Sequence, residues 1–95
     1  MKNKHLKTEI KALLNNVENA FSKDSLQYKN LDYYFEILEN VYQYKYDSDK
    51  DLLEELKALL LQLSMEMPEL AYEQLQENYP NISKMIDCLD EWLTD

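Results

Sequence analysis

The 95-residue chain contains no glycine and only two prolines. Tight β-hairpin turns and sheet bulges usually require glycine, because it takes positive φ values without a steric cost. The chain is instead rich in leucine, glutamate, lysine and glutamine, which favour helices. Hydrophobic residues make up 45% of it, which is too many for a disordered chain. The composition therefore predicts an all-α fold, and the length predicts one domain over residues 1–95.

Hydrophobic residues recur at spacings of three and four, which predicts a compact antiparallel bundle of four to five helices. A polar turn is expected at 22–25, and the second helix is expected to run from Ser25 or Asn30 to Tyr46. The predicted inward-facing residues of the first two helices are Leu6, Ile10, Leu13, Leu14, Val17, Ala20 and Phe21, followed by Leu31, Tyr34, Phe35, Leu38, Val41 and Tyr42.

The two prolines divide the last third of the chain, because proline is favoured in the first turn of a helix and disfavoured inside one. A third helix is expected to begin after Asp49 and to break near Glu66, and a short fourth helix to run from Pro68 to about Glu77. The last helix is expected to start at Pro80 or Asn81. The predicted inward-facing residues of these helices are Leu52, Leu53, Leu56, Leu59, Leu60 and Leu63; Leu70, Ala71 and Leu75; and Ile82, Met85, Ile86, Leu89, Trp92 and Leu93.

The charge is unevenly distributed along the chain. The net charge is −9, and all ten basic residues are lysines. Residues 1–30 hold six lysines and three acids, a net +3, whereas residues 31–95 hold four lysines and sixteen acids, a net −12. Such a surface repels nucleic-acid phosphates and anionic lipids and attracts basic proteins. Arginine, the main reader of base edges, is also absent. We therefore expect a basic protein partner, and neither nucleic acid nor membrane.

The residues needed for catalysis or cofactor binding are scarce. His5 is the only histidine and Cys88 the only cysteine, so no internal disulfide can form and a zinc site lacks its usual ligands. A glycine-rich phosphate loop cannot exist in a chain without glycine. The N-terminal segment does not have the features of a secretory signal, and no apolar run approaches the length of a membrane span. The sequence predicts a soluble cytoplasmic protein that is not an enzyme and holds no cofactor.

The segment "DSDKD" has the spacing of a calcium-binding loop. Asp47, Asp49 and Asp51 match the first, third and fifth positions of such a loop. Leu52 stands where the loop needs glycine for its sharp turn, and Ala58 stands where it needs a bidentate glutamate. We therefore interpret the segment as a helix start, where acids interact favourably with the helix dipole, and predict no metal site.

The second predicted helix carries an unusual number of tyrosines. Measured around the helix from Leu38, Tyr33, Ile37 and Tyr44 fall together on one flank, roughly 100–140° from the buried centre. Glu36 and Asn40 lie beside them, whereas Tyr46 is predicted on the opposite flank. Tyrosine is enriched at protein interfaces, and nearby acids steer a basic partner. The alternative, that this flank packs against another helix of the same chain, remains open. The candidate partner-binding residues are Tyr33, Glu36, Ile37, Asn40, Tyr44, Asp47, Asp49, Asp51, Glu54 and Glu55.

A small acidic helical chain with the surface formed by Tyr33, Glu36 and Tyr44 resembles bacterial immunity proteins. The resemblance covers the whole chain at the level of class, in size, charge and surface character. It implies a cognate basic toxin domain, such as a nuclease, that the protein neutralises by tight binding without catalysis. Phage-encoded inhibitors of nucleic-acid enzymes share these features. A second alternative is a homo-oligomeric or scaffolding module, with Leu61 in the self-interface. We expect a monomer or a weak homodimer.

Overall fold

The helices predicted from the hydrophobic spacing are present in a computed structural model, which describes residues 4–46 and 50–93. Over these two ranges the chain forms five α-helices and one 3₁₀ helix, without a β-strand, so the all-α prediction is confirmed. The elements are α1 Lys4–Phe21, α2 Leu26–Tyr44, α3 Lys50–Leu63, the 3₁₀ helix Pro68–Leu70, α4 Tyr72–Asn78 and α5 Pro80–Leu93. None of the helices in these ranges is both long enough and apolar enough to cross a membrane.

One hydrophobic core joins all five helices. Leu13, Leu38, Leu53, Leu75 and Leu89, one from each helix, are almost fully buried in it. The helical spacing predicted most of these positions correctly. Three predicted inward positions lie closer to water, because they fall at the margins of their elements: Ala20 is exposed, Ala71 is half-buried and Trp92 is 39% exposed. The core also contains Met67 and Tyr79, which the helical pattern did not predict.

Hydrogen bonds of two serines stabilise the turn between α1 and α2. Ser22 ends α1 with a positive φ of 94°, and its amide donates to the Glu18 carbonyl at 2.8 Å. The Ser25 hydroxyl donates to the Ser22 carbonyl at 2.7 Å and accepts from the Tyr28 amide at 3.1 Å. Ser25 is therefore the N-cap of α2, and the earlier of its two predicted starts is correct.

The predicted fourth helix is interrupted. Pro68–Leu70 forms a 3₁₀ helix, Ala71 is extended with ψ 150°, and α4 then begins at Tyr72. Leu70 and Leu75 are five residues apart, so a continuous α-helix would separate their directions by about 140°. The extended residue between them allows both leucines to reach the core, where they are 1% and 2% exposed.

The start of α5 is held by a residue from the other end of the chain. The Glu9 carboxylate of α1 accepts hydrogen bonds from the Asn81 amide at 2.8 Å and the Ile82 amide at 3.0 Å. The Asn81 side-chain amide donates to the same carboxylate at 2.6 Å. Since the first amides of a helix have no partner within the helix, Glu9 serves as a long-range cap. It fixes α5 against α1.

Candidate protein-binding surface

Helix α2 presents one face to the core and the other to water. Leu31, Phe35, Leu38 and Val41 are at most 3% exposed. On the other side Tyr33 is 56% exposed and Tyr44 is 59% exposed. The exposed surface, named here the tyrosine face, consists of Tyr33, Glu36, Asn40 and Tyr44, and all four side chains are exposed. Four of the predicted partner-binding residues thus lie together on one helix.

Leu26 extends the tyrosine face toward the start of α2. Its side chain is 70% exposed. It precedes Tyr33 by seven residues, close to two helical turns, and therefore lies on the same side of the helix. Leu26 was not among the predicted partner-binding residues, although the heptad spacing from Leu26 through Tyr33 to Asn40 places it on their side of the helix. The tyrosine face with Leu26 runs along nearly all of α2.

Ile37, another residue predicted to contact a partner, also packs within the chain. The side chain is half-buried and packs against the hydrophobic core. It lies about 60° around the helix from Tyr34, which contacts α3. The alternative of packing within the chain is therefore correct for Ile37, whereas Tyr33 and Tyr44 remain exposed. Ile37 forms the edge of the tyrosine face and not its centre.

Tyr34 connects the tyrosine face to α3. Its ring centroid lies 5.8 Å from that of Tyr33, and its hydroxyl donates to Glu55 Oε1 at 2.9 Å. The hydrogen bond to the Glu55 carboxylate, with burial and the charge of Glu55 as smaller causes, raises the pKa of Tyr34. The interaction holds Glu55 beside α2, so this predicted acid lies next to the tyrosine face.

Tyr46 lies beside Tyr44 and not on the opposite flank as predicted. The two ring centroids are 5.8 Å apart. The prediction continued the helix to Tyr46, but α2 ends at Tyr44 and Lys45 takes a left-handed conformation with φ 60°. This change of direction brings Tyr46 back toward Tyr44. It also places the Lys45 ammonium 5.6 Å from the centre of the Trp92 ring, a cation–π contact between α2 and α5.

Of the other predicted acids, the structure describes Glu54 and Asp51. Glu54 lies 3.7 Å from Lys57, which pairs with Asp90 of α5 at 3.0 Å. Since adjacent helical residues point about 100° apart, Glu54 faces the α5 side of α3 while Glu55 faces α2. Asp51 is exposed in the first turn of α3. Two further predicted residues, Asp47 and Asp49, lie outside the described residues.

A groove between α3, α4 and α5 was not predicted from the sequence. Its volume is about 320 Å³. Buried leucine and isoleucine side chains form its floor, and the rim carries both charged and exposed apolar groups. Its lining includes Leu60, Leu61, Leu70, Tyr72, Ile86 and Asp87. Only Leu61, which lies outside the main hydrophobic stripe of its helix, gave a signal in the sequence.

The described residues contain no cluster suited to binding a metal ion. Within 4–46 and 50–93, no group of three or more histidine, cysteine, aspartate or glutamate side chains could hold a metal ion. Comparisons with family models, with curated proteins and with solved structures find no match for this chain. Function must therefore be inferred from the surfaces themselves.

Proposed function

We propose that the protein is a stoichiometric, non-catalytic inhibitor that binds a basic protein domain through the tyrosine face, in the manner of an immunity protein. The supporting observation is the pair of tyrosines, Tyr33 and Tyr44, which are more than half exposed beside Glu36 on a helix of a protein with net charge −9. Neither ring belongs to the hydrophobic core.

The physical properties of this face suit tight binding. Tyrosine offers a large contact area with little loss of side-chain entropy, and hot-spot residues at interfaces are enriched in it. The tyrosines project from a helix whose opposite side is packed in the core, so the face is preorganised. The net charge of −9 accelerates encounter with a cationic partner.

The protein would inhibit its partner by covering a cationic surface of that partner. Enzymes that act on nucleic acids bind phosphates with lysine and arginine side chains. An acidic protein bound over those side chains excludes the substrate without reacting with it. The toxin domain of a bacterial competitor is the partner class that this proposal favours, and a phage-type inhibitor would act on a host enzyme by the same physics.

The test is a calorimetric titration of the protein against the basic product of a neighbouring gene. We expect one-to-one binding, loss of the partner's activity in the complex, and affinity that falls as salt rises. Tyr33→Ala combined with Tyr44→Ala should weaken binding at least about 30-fold, the effect of removing a hot spot.

The matched control is Met65→Ala, which removes an 80% exposed side chain that follows α3 and does not belong to the tyrosine face. This variant should bind as the wild type does. Unchanged affinity in the tyrosine double variant would show that the tyrosine face is not the contact surface, and a partner with an acidic surface would contradict the electrostatic argument.

A homo-oligomeric module is the second candidate, and it is favoured by the exposure of Leu61 at 67%. In that case Leu61→Lys should dissociate the oligomer. Light scattering over a range of protein concentrations decides this point, because a monomer at every concentration excludes the second candidate.

A further inference from the structure

We propose that the groove between α3, α4 and α5 binds an apolar side chain of the partner protein that stands next to a lysine or arginine. This inference rests on the proposed function, since it takes the partner to be a basic protein. It adds a second contact to the tyrosine face and specifies the chemistry that this contact recognises.

The floor of the groove fits an apolar group. Leu60, Leu70, Leu75 and Ile86 line it, and each is at most 4% exposed. The volume of about 320 Å³ is at the lower end of the range for ligand sites in proteins. Leu61 adds an exposed apolar side chain at the rim. An inserted aliphatic or aromatic side chain would be desolvated on several sides.

The rim of the groove favours a positive charge. Its only lysine, Lys57, is 3.0 Å from both carboxylate oxygens of Asp90 and 3.7 Å from Glu54. Asp87 accepts a hydrogen bond from the Tyr72 hydroxyl at 3.1 Å, and among the described residues it forms no ion pair. One lysine and two aspartates give the lining a net charge of −1. A partner's ammonium or guanidinium group would compensate the Asp87 carboxylate.

The openness of the groove indicates a side chain carried by a protein. Leu61 is 67% exposed and Tyr72 is 54% exposed, so the rim lies in contact with water. A small free molecule in the groove would leave its outer side hydrated. The backbone of a partner protein would instead cover the opening and bury the exposed parts of Leu61 and Tyr72.

The groove is separate from the tyrosine face. Tyr34 of α2 hydrogen-bonds Glu55 on one side of α3, whereas Lys57 reaches Asp90 of α5 on the other side. Substitutions in the groove therefore leave the tyrosine face intact, and the two surfaces can be tested independently.

The chemistry of the groove can be tested with blocked dipeptides as probes. NMR titrations would follow the methyl groups of Leu60, Leu70 and Ile86 while acetyl-Leu-Lys-amide, acetyl-Leu-Glu-amide or acetyl-Gly-Lys-amide is added. We expect saturable shifts at these methyls with the Leu-Lys probe and much smaller ones with the other two. Equal shifts with the Leu-Glu probe, or no shifts in the groove with any probe, would overturn the inference.

Asp87→Asn tests the charge, since the amide oxygen can still accept from Tyr72. This substitution should weaken binding of the Leu-Lys probe about 2- to 5-fold, as expected for the loss of a solvent-exposed ion pair. Asp32→Asn removes an exposed acid of α2 and serves as the matched control, with no change expected. An Asp87→Asn variant that binds the probe as the wild type does would contradict the assigned role of Asp87.

The complex with the basic partner provides the second test. Leu61→Glu should weaken this complex at least about 10-fold, because it places a polar charged group in the apolar contact. If Leu61→Glu and Asp87→Asn leave affinity unchanged while the Tyr33 and Tyr44 substitutions reduce it, the groove inference is wrong and the proposed function stands. If a basic partner is lacking but the Leu-Lys probe still binds in the groove, the proposed function fails and the recognition chemistry of the groove stands.

Discussion

Ser22 and Lys45 end helices in a conformation that glycine usually adopts. Their φ values are 94° and 60°, and the chain has no glycine to place at either position. A residue with a Cβ atom in the left-handed region costs about 1 kcal/mol or more relative to glycine. The contact between the Lys45 ammonium and the Trp92 ring offsets part of this steric cost at Lys45.

Ser22→Gly should therefore raise the free energy of unfolding by about 1 kcal/mol. The relief of steric conflict at positive φ outweighs the larger entropy of glycine in the unfolded chain. Urea denaturation followed by circular dichroism would measure the change. Ser22→Ala is the control and should give no stabilisation, since alanine keeps the Cβ atom. A Ser22→Gly protein less stable than the wild type would contradict this account.

Glu9 is only partly buried on α1, but it contributes more to the stability of the fold than such a position suggests. Its carboxylate satisfies two backbone amides of α5 and the side chain of Asn81. We expect Glu9→Ala to lower the free energy of unfolding by about 1–3 kcal/mol, since the amides at the start of α5 lose their acceptor. Glu18→Ala on the same helix is the matched control and should change it by less than about 0.5 kcal/mol. Urea denaturation would measure the free energy of unfolding of both variants. Equal effects of the two substitutions would refute the capping role of Glu9.

Helix α2 shows which parts of the site could be predicted from the sequence. Helical spacing placed Leu31, Phe35 and Leu38 in the core, and all three are buried. The same spacing placed Tyr33 and Tyr44 away from the core, where they are exposed. Such predictions succeed because the direction of a side chain within a helix depends on local geometry alone.

The errors concern features that local geometry does not determine. Ile37 is half-buried because it packs against the hydrophobic core, and Tyr46 changes position because Lys45 leaves the helical conformation. The lining of the groove combines side chains as distant in sequence as Lys57 and Asp90. The Glu9 carboxylate likewise caps α5 by accepting from the Asn81 amide, 72 positions away. A single sequence gives the pattern of each helix and does not show which helices pack together.

The two sides of α2 should respond differently to substitution. Tyr33→Ala with Tyr44→Ala should change the free energy of unfolding by less than about 1 kcal/mol, since surface changes each contribute within about 0.5 kcal/mol. Phe35→Ala, which removes a ring that is 1% exposed, should cost about 3–5 kcal/mol. Urea denaturation compares the variants. A large destabilisation by the tyrosine pair would mean that these rings serve the fold, and a loss of partner binding could then not be assigned to the surface.

At the scale of the whole molecule, folding shifts the pKa of several lysines and tyrosines in the same direction. Hydrogen bonds to carboxylates raise the pKa of Lys7, Lys57, Tyr34 and Tyr72, and burial raises that of Tyr42. Each group holds its proton more tightly in the folded state than in the unfolded state. Its contribution to stability is therefore complete below its ordinary pKa and is lost as pH rises through the higher folded value.

The protein should consequently lose stability on the alkaline side. The loss should begin as pH passes 10.0, the ordinary pKa of tyrosine, and continue above 10.5, that of lysine. Urea denaturation from pH 8 to about 11 would measure the decline. Repulsion within a chain of net charge −9 acts in the same direction, but added salt screens it. In high salt, Tyr34→Phe combined with Tyr72→Phe should give a shallower decline than the wild type, because neither ring can then lose a proton. Parallel profiles for this variant and the wild type would show that the two hydroxyl–carboxylate hydrogen bonds do not couple to folding.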